Sequence, residues 1–341
     1  MEQEKKFPFM TIALLLVVGA FWFFFSFFSS GDNIASFKKD NDLENKVARE
    51  IDGVLVSEDN QNQSLVAVVI DNFSLARPQS AIADANLVYE IQAESYITRF
   101  LAFYDLSAPL VKIGPVRSAR DYLIDIASEY GAVFVHSGGS PEALDRLKNE
   151  RAVYDLNEFF SSNQDYFWRD NNKYAPHNLY TSVGMLKDLK EDSSLNSNGD
   201  YRSWKFKDDS KARGDISNIR IDFSSDTAKY QVVWKYDKEI NAYKRWQNNQ
   251  PHLDENNKSI IAKNIVVQIA RMKVIDDVGR KDINLDGTGD ALVFQDGAVV
   301  ESSWIKEKSR TLFLDQHDNE IKLNRGTTWV EIVPTWLEVV Y

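Results

Sequence analysis

Residues 7–28 read FPFMTIALLLVVGAFWFFFSFF, 22 positions without an ionisable side chain. As a helix rising about 1.5 Å per residue, this run spans about 33 Å, the thickness of a bilayer's hydrocarbon core. A soluble helix keeps a polar face, and this one has none. A cleaved secretory signal usually has an apolar core of about 7–15 residues with small residues at the cut. Here the core is longer and Phe27-Phe28 are poor cleavage neighbours, although Ser29-Ser30-Gly31 would be tolerated. The pattern predicts an uncleaved transmembrane anchor over 1–28, and either form exports the rest of the chain. Lys5 and Lys6 precede the run and Asp32 lies beyond it. The positive-inside bias then leaves the N-terminus in the cytoplasm and the remainder outside.

Residues 29–63, rich in Ser, Asn, Asp and Lys, read as a linker with a short helical pattern near 43–51. Residues 65–70, LVAVVI, form a continuous β-branched run of the kind found in buried strands. Further strands are expected at 97–104 and 132–135, and helices at 119–130, 141–148 and 183–190. That mixture predicts an α/β domain over 64–200. After a polar stretch at 191–214 the pattern changes to short strands at 230–236, 243–247, 264–270, 291–295, 298–304, 311–314 and 328–333. Turn signals such as Asp296-Gly297, Asp318-Asn319 and Asn324-Arg325-Gly326 separate them. The fold class is therefore an α/β N-terminal ectodomain plus a mostly-β C-terminal domain over 201–341, after one transmembrane helix.

With 43% hydrophobic residues, the chain can bury a substantial core. The formal net charge of −11 falls on the exported part, because the charges before the apolar run cancel. An acidic ectodomain argues against nucleic acid, which is gripped through a basic face. The absence of cysteine removes disulfides, thiolate chemistry and the attachment point of a lipoprotein's lipid, so any anchor must be peptide.

Candidate chemistry gathers just past the expected strand ends, where open α/β sheets place their ligands. Residues 65–70 run into Asp71-Asn72, residues 111–113 into Gly114-Pro115-Val116-Arg117-Ser118, and residues 132–135 into His136-Ser137-Gly138-Gly139-Ser140-Pro141. Ser118 with Asp121 fits a capping box, and Ser140 before Pro141 fits a helix N-cap. Arg117 and Arg120 at the first of these helix starts oppose the helix dipole unless something negative answers them. That partner is Glu90 or Glu94 of the fold itself, or a bound phosphate or carboxylate. Arg99 alternates with Ile97, Leu101 and Phe103, which predicts an internal partner.

His136 and His177 are two of four histidines, and His177 shares a loop with Arg169 and Asn178. Each histidine alone reads more simply as a structural residue than as an acid/base group. No HExxH, close histidine pair, P-loop or G-x-S-x-G pattern occurs, so no metal centre or cofactor is expected. Asp282, Asn284, Asp286 and Asp290 with Gly287 resemble part of a calcium loop, but Val293 stands where the closing carboxylate belongs. A Gly-rich β-turn explains the same residues.

The chain resembles the YerB-like family, a two-part bacterial extracytoplasmic group of unknown activity, over roughly residues 51–333. The resemblance rests on Val69-Ile70-Asp71-Asn72, Arg77-Pro78-Gln79-Ser80, Val88-Tyr89-Glu90, Ile97-Thr98-Arg99-Phe100, and Ile113-Gly114-Pro115-Val116-Arg117-Ser118-Ala119-Arg120. It continues through His136-Ser137-Gly138-Gly139-Ser140-Pro141, Phe167-Trp168-Arg169-Asp170, Ala175-Pro176-His177-Asn178, Ala262-Lys263-Asn264-Ile265 and Thr328-Trp329-Val330. The family is similar to lipoproteins in many members, and this sequence departs from them in anchoring without cysteine. The resemblance implies a cell-envelope location and two parts, and it supplies no reaction.

The expected ligand-binding set is Asp71, Arg77, Glu90, Arg117, Arg120, His136, Ser140, Arg169, His177 and Asn178, lining one cleft. Two functions fit it. One is a membrane-held module that binds a polar or anionic envelope ligand or a protein partner. The other is a hydrolase or transferase using Asp71 or Glu90 with His136 or His177. Binding is preferred, because no complete nucleophile, base and orienting group can be read from the sequence.

Overall fold

The computed structural model describes residues 46–61, 64–187, 189, 202–307 and 310–341. The expected anchor over 1–28 lies outside the described residues. Among those described, no helix is long and apolar enough to cross a membrane.

The apolar run at 65–70 forms Leu65–Asp71 (β1), buried at every position. Side chains alternate across a strand. Val66, Val68 and Ile70 accordingly enter one core while Leu65, Ala67 and Val69 enter another. A strand covered on both faces has no polar side, which explains the continuous apolar run. The other strands that the N-terminal part adds to the same sheet are Leu87–Glu94 (β2), Ile97–Asp105 (β3), Val133–His136 (β4) and Tyr154–Asn157 (β5), of which β3 and β4 flank β1 directly. The C-terminal part forms a second, six-stranded sheet, whose longest strands are Asn218–Asp222 (β6), Gln231–Asp237 (β7) and Ala242–Gln247 (β8). It then supplies Asn264–Val274 (β9), Lys281–Asn284 (β10), Thr288–Gln295 (β11), Ala298–Glu307 (β12), Arg310–Leu314 (β13) and Thr328–Pro334 (β14).

These last six strands join the first five in one eleven-stranded sheet, ordered β13-β12-β11-β9-β14-β2-β3-β1-β4-β5 with β10 beside β9. β14 forms the seam between the two parts, running parallel to both β9 and β2. The expected change of domain near residue 200 thus separates two stretches of sequence whose strands share a sheet. One face of that sheet packs against helix Asp121–Ser128 (α1), through Tyr122, Leu123, Ile126 and Ala127. The other face packs against the β6-β7-β8 sheet, through Ile219, Ile221, Val232 and Trp234.

The result is mostly β, with few helices. The α/β character expected for 64–200 is confined to the parallel strands β1, β4 and β5, with α1 and Pro141–Glu150 (α2). The third expected helix is a single turn, Val183–Leu186 (α3). The Ser140 cap forms as expected, its hydroxyl accepting from the Ala143 amide at 3.2 Å. The Ser118 capping box does not form. α1 begins after Arg120, which is extended and makes no side-chain cap, while the Ser118 carbonyl is taken by the Arg99 guanidinium at 2.7 Å.

Between the two sheets lies a polar network with no exposure. Glu90 on β2 stands opposite Glu331 on β14, and both are fully buried. Arg245 reaches across from β8 to pair with Glu90, whose other oxygen accepts from Thr98 at 2.6 Å and Asn72 at 3.0 Å. Glu331 accepts from the Trp234 indole at 2.7 Å. Burial, with the Glu90 carboxylate beside it, pushes the Glu331 carboxyl well above its ordinary value. The same burial, with the Arg245 and Arg77 cations, pushes His252 well below its own. Its Nδ1 faces the Arg245 guanidinium and must accept, so Nε2–H donates to Gln79 Oε1 at 3.0 Å.

The folded protein therefore holds a proton on Glu331 that the unfolded chain releases above about pH 4.3, so this group lowers stability progressively as pH rises toward its folded value. Glu331→Gln is expected to flatten the fall in urea midpoint as pH rises above the ordinary carboxylate range. An unchanged slope would contradict the assignment.

Candidate functional site

The parallel strands β1, β4 and β5 end on the same edge, which is where this sheet presents its polar groups. Asp71 closes β1, His136-Ser137 lies at the end of β4, and Glu158 comes directly after β5. The His177 loop is carried by a small antiparallel ribbon, in which Trp168–Arg169 pairs with Leu179–Tyr180. Lys173 pins this loop against the segment after β1, donating to the carbonyls of Ala76 at 2.9 Å and Pro78 at 2.6 Å.

These elements bring Asp71, Arg117 and His177 together. The Asp71 carboxylate is 2% exposed, accepts from the Phe73 amide at 2.9 Å, and meets His177 Nδ1 at 2.7 Å and Arg117 Nε at 3.1 Å. Burial alone would raise this carboxyl, but the His177 hydrogen bond, the Arg117 charge and the Phe73 amide outweigh it and hold it below its ordinary value. An ionised Asp71 accepts the hydrogen bond from Nδ1–H, which leaves Nε2 as the nitrogen of His177 not engaged by Asp71. Phe73 stacks on the imidazole, ring centres 5.1 Å apart and planes within 11°, and so fixes the ring's plane. The terminal nitrogens of Arg117, whose side chain is 25% exposed, have no hydrogen-bond partner among the described residues.

Beside this centre, Glu158 accepts from the Ser137 hydroxyl at 2.9 Å and from Arg169 at 3.1 Å, and Arg169 also donates to Asn178 at 3.1 Å. Gly138 makes the turn below, with φ +63°, and the Phe159 ring sits 3.0 Å from where a Cβ would lie. Only glycine meets both the backbone angle and the close approach. Phe159, Leu75 and Tyr174 leave exposed apolar surface on the loops that frame the site.

The rest of the expected set is used elsewhere. Arg120 is buried and pairs with Glu94, which also binds Arg99 through both oxygens at 3.0 Å. The fold itself supplies its anion. Glu90 belongs to the Arg245 network. Arg77 is committed to Asn72 Oδ1 at 3.0 Å, the Asn72 carbonyl at 2.8 Å and the Lys229 carbonyl at 2.8 Å. Burial and the nearby Arg245 charge lower it to about 10. His136 is fully buried and bonded at both nitrogens, to the Gly138 carbonyl at 2.7 Å and Asp155 at 2.6 Å, so neither nitrogen is free for proton transfer. Ser140 is a cap. The Asp282–Asp290 stretch is the end of β10, a turn and the start of β11, with Asp282 paired to Lys273 at 2.8 Å. Among the described residues no acidic or histidine group is arranged to hold a metal.

Sequence reasoning missed Phe73 and Glu158, and it named Ser137 at a strand end without assigning it to the binding set. Phe73 sits two residues beyond Asp71 in an expected loop, where an aromatic ring has no core to enter, and that was its only signal. Arg120→Ala is expected to cost about 1–3 kcal/mol in a urea melt, since Glu94 loses one of two buried partners but keeps Arg99. A midpoint unchanged from the parent would reopen Arg120 as a ligand residue.

Comparison with known proteins places the chain. Residues 52–196 match the N-terminal domain, and residues 219–330 the C-terminal domain, of a protein family of unknown function, DUF3048. A Bacillus subtilis (strain 168) protein named "Putative lipoprotein YerB" is 34% identical over 271 residues, covering 79% of this chain and 81% of that protein. The crystal structure of YerB from Bacillus subtilis superposes with a TM-score of 0.77 at 31% identity, covering 87% of this chain and all of that one. Sequence in both parts and fold agree, and the chain belongs to the YerB-like, DUF3048 family of unknown function.

Proposed function

We propose that the folded part is held at the outer face of the cell membrane by residues 7–28 and binds an anionic envelope component at the Asp71–Arg117–His177 centre. The anchoring is supported by the 22-residue apolar run behind Lys5 and Lys6 and by the lipoprotein name of the Bacillus relative. Protease added to spheroplasts is expected to digest the C-terminal part. Full protection, under conditions that shave a known surface protein, would overturn the orientation.

The binding is supported by one arrangement above the others. A buried carboxylate grips Arg117 by Nε alone and His177 by Nδ1 alone, so the outer nitrogens of both are presented at fixed positions. The guanidinium, together with the imidazole when Nε2 also carries a proton, can donate to a phosphate or carboxylate. Inorganic phosphate is expected to raise the melting midpoint of the full chain in detergent. Arg117→Gln is expected to abolish that rise, while the fold persists because Asp71 keeps His177 and the Phe73 amide. If phosphate, sulfate and acetate all leave the wild-type midpoint unmoved, the anion reading fails.

The Asp71–His177 bond favours a second reading, in which His177 Nε2 acts as a general base on water. Turnover of a nitrophenyl ester or phosphate by the wild type, lost in His177→Gln, would select it. No serine in the site stands ready as a nucleophile, since the Ser137 hydroxyl is engaged by Glu158 and Ser140 caps α2.

A further inference from the structure

A separate cleft of about 400 Å³ opens between the end of β2, the end of β6 and the C-terminal segment. Gln92, Tyr96, Asp222, Ser224, Lys281 and Trp336 contribute to its walls. Its volume lies in the ordinary range for small-molecule sites, about 300–1,000 Å³.

Three features of the walls are unexplained by the fold. Gln92, a residue of the cleft wall, is 1% exposed, and its amide nitrogen donates to the Phe223 carbonyl at 2.9 Å, leaving Oε1 for another partner. That oxygen is buried without a hydrogen-bond partner among the described residues. Asp222 repeats the pattern, with Oδ1 buried and unpartnered while Oδ2 lies 3.4 Å from Arg220 Nε. Orphaned buried acceptors are costly, about 1–3 kcal/mol each, and are rare without a purpose. Third, Trp336 is 68% exposed, a large flat apolar face on the wall of a cleft that mixes apolar and charged groups.

Both orphans are acceptors, so the missing partner must bring hydrogen-bond donors. Among the lining residues Asp222 and Glu338 balance Arg220 and Lys281 in charge, so neither a bare anion nor a bare cation is favoured. The exposed indole calls for a flat C–H surface. A molecule with several hydroxyl donors, no net charge and one apolar ring face meets all three demands. From these features we propose that the cleft binds a neutral saccharide, one sugar ring lying on Trp336 and its hydroxyls donating to Gln92 Oε1 and Asp222 Oδ1. Lys281 donates to a ring or hydroxyl oxygen. The site is distinct from the Asp71 centre and does not depend on that centre's function.

The test is calorimetric titration of the full chain, in a detergent without a sugar headgroup, with triacetylchitotriose, maltotriose and cellotriose. At least one is expected to bind with a millimolar or tighter dissociation constant. Trp336→Ala should weaken it at least tenfold, with an unchanged melting midpoint because the side chain is exposed. Gln92→Met, which keeps the volume and removes the acceptor, should weaken it comparably if it folds; Trp336→Ala decides the matter if it does not. Failure of all three trisaccharides to bind would overturn the proposal. So would full affinity in Trp336→Ala, or tighter binding of trigalacturonate than of any neutral sugar.

Discussion

Arg245→Ala is expected to destabilise the folded part by about 3–5 kcal/mol, because it leaves a fully buried carboxylate without its ion-pair partner. Arg245 and Glu90 are both fully buried, and Glu331 stands opposite Glu90 in the register of β14 and β2. Without the guanidinium, two carboxyl groups share a dry site between the sheets with no cation paired to Glu90, Arg77 being committed to Asn72 and the Lys229 carbonyl. Packing is lost as well, because the guanidinium lies 5.1 Å from the Trp329 ring centre and 5.4 Å from that of Phe100. Adding Glu90→Gln to Arg245→Ala is expected to recover part of the loss, since a neutral amide keeps the Thr98 and Asn72 contacts. Urea midpoints of the single and double variants read both effects. A double variant no more stable than Arg245→Ala alone would mean that packing, and not the stranded charge, carries the cost.

Trp329→Ala is expected to cost about 3–5 kcal/mol by opening a cavity at the seam. The indole is fully buried on β14 and meets Phe100 edge-on at 5.4 Å and Trp234 at 5.2 Å. The two tryptophans differ in one respect that a milder substitution exposes. Trp329 Nε1 has no hydrogen-bond partner among the described residues, whereas Trp234 Nε1 donates to Glu331 at 2.7 Å. Trp329→Phe therefore loses volume alone. Trp234→Phe also strips a buried carboxyl oxygen of its donor, which adds about 1–3 kcal/mol. Thermal melts should rank Trp234→Phe below Trp329→Phe, and the reverse order would contradict the role given to that hydrogen bond.

The candidate site is half legible in the sequence. Asp71, Arg117 and His177 stand out because they come after strand ends or sit in a polar loop, and the sheet edge does bring them together. Their partnership is not legible, since 106 residues separate Asp71 from His177. Arg120 and Arg117 look alike in sequence, both beside one helix start. Arg120 is buried on Glu94, while Arg117 rests against Asp71 with its terminal nitrogens free, and only the path of β2 past α1 makes that difference.

Local sequence is enough for most strand positions, the Ser140-capped helix and the absence of thiol chemistry. Burial on one or both faces leaves a local record, in alternation or in an unbroken apolar run such as residues 65–70. It does not reveal β2, the strand at the middle of the molecule. Glu90 and Gln92 make that segment read as polar, yet both are buried. Their partners are Arg245, 155 residues away, and the Phe223 carbonyl, 131 residues away. The insertion of β14 between the two parts is equally hidden. A strand's periodicity says that it has neighbours, but which ones it pairs with depends on register and on charges contributed from distant segments. Those terms exist only once the chain has folded.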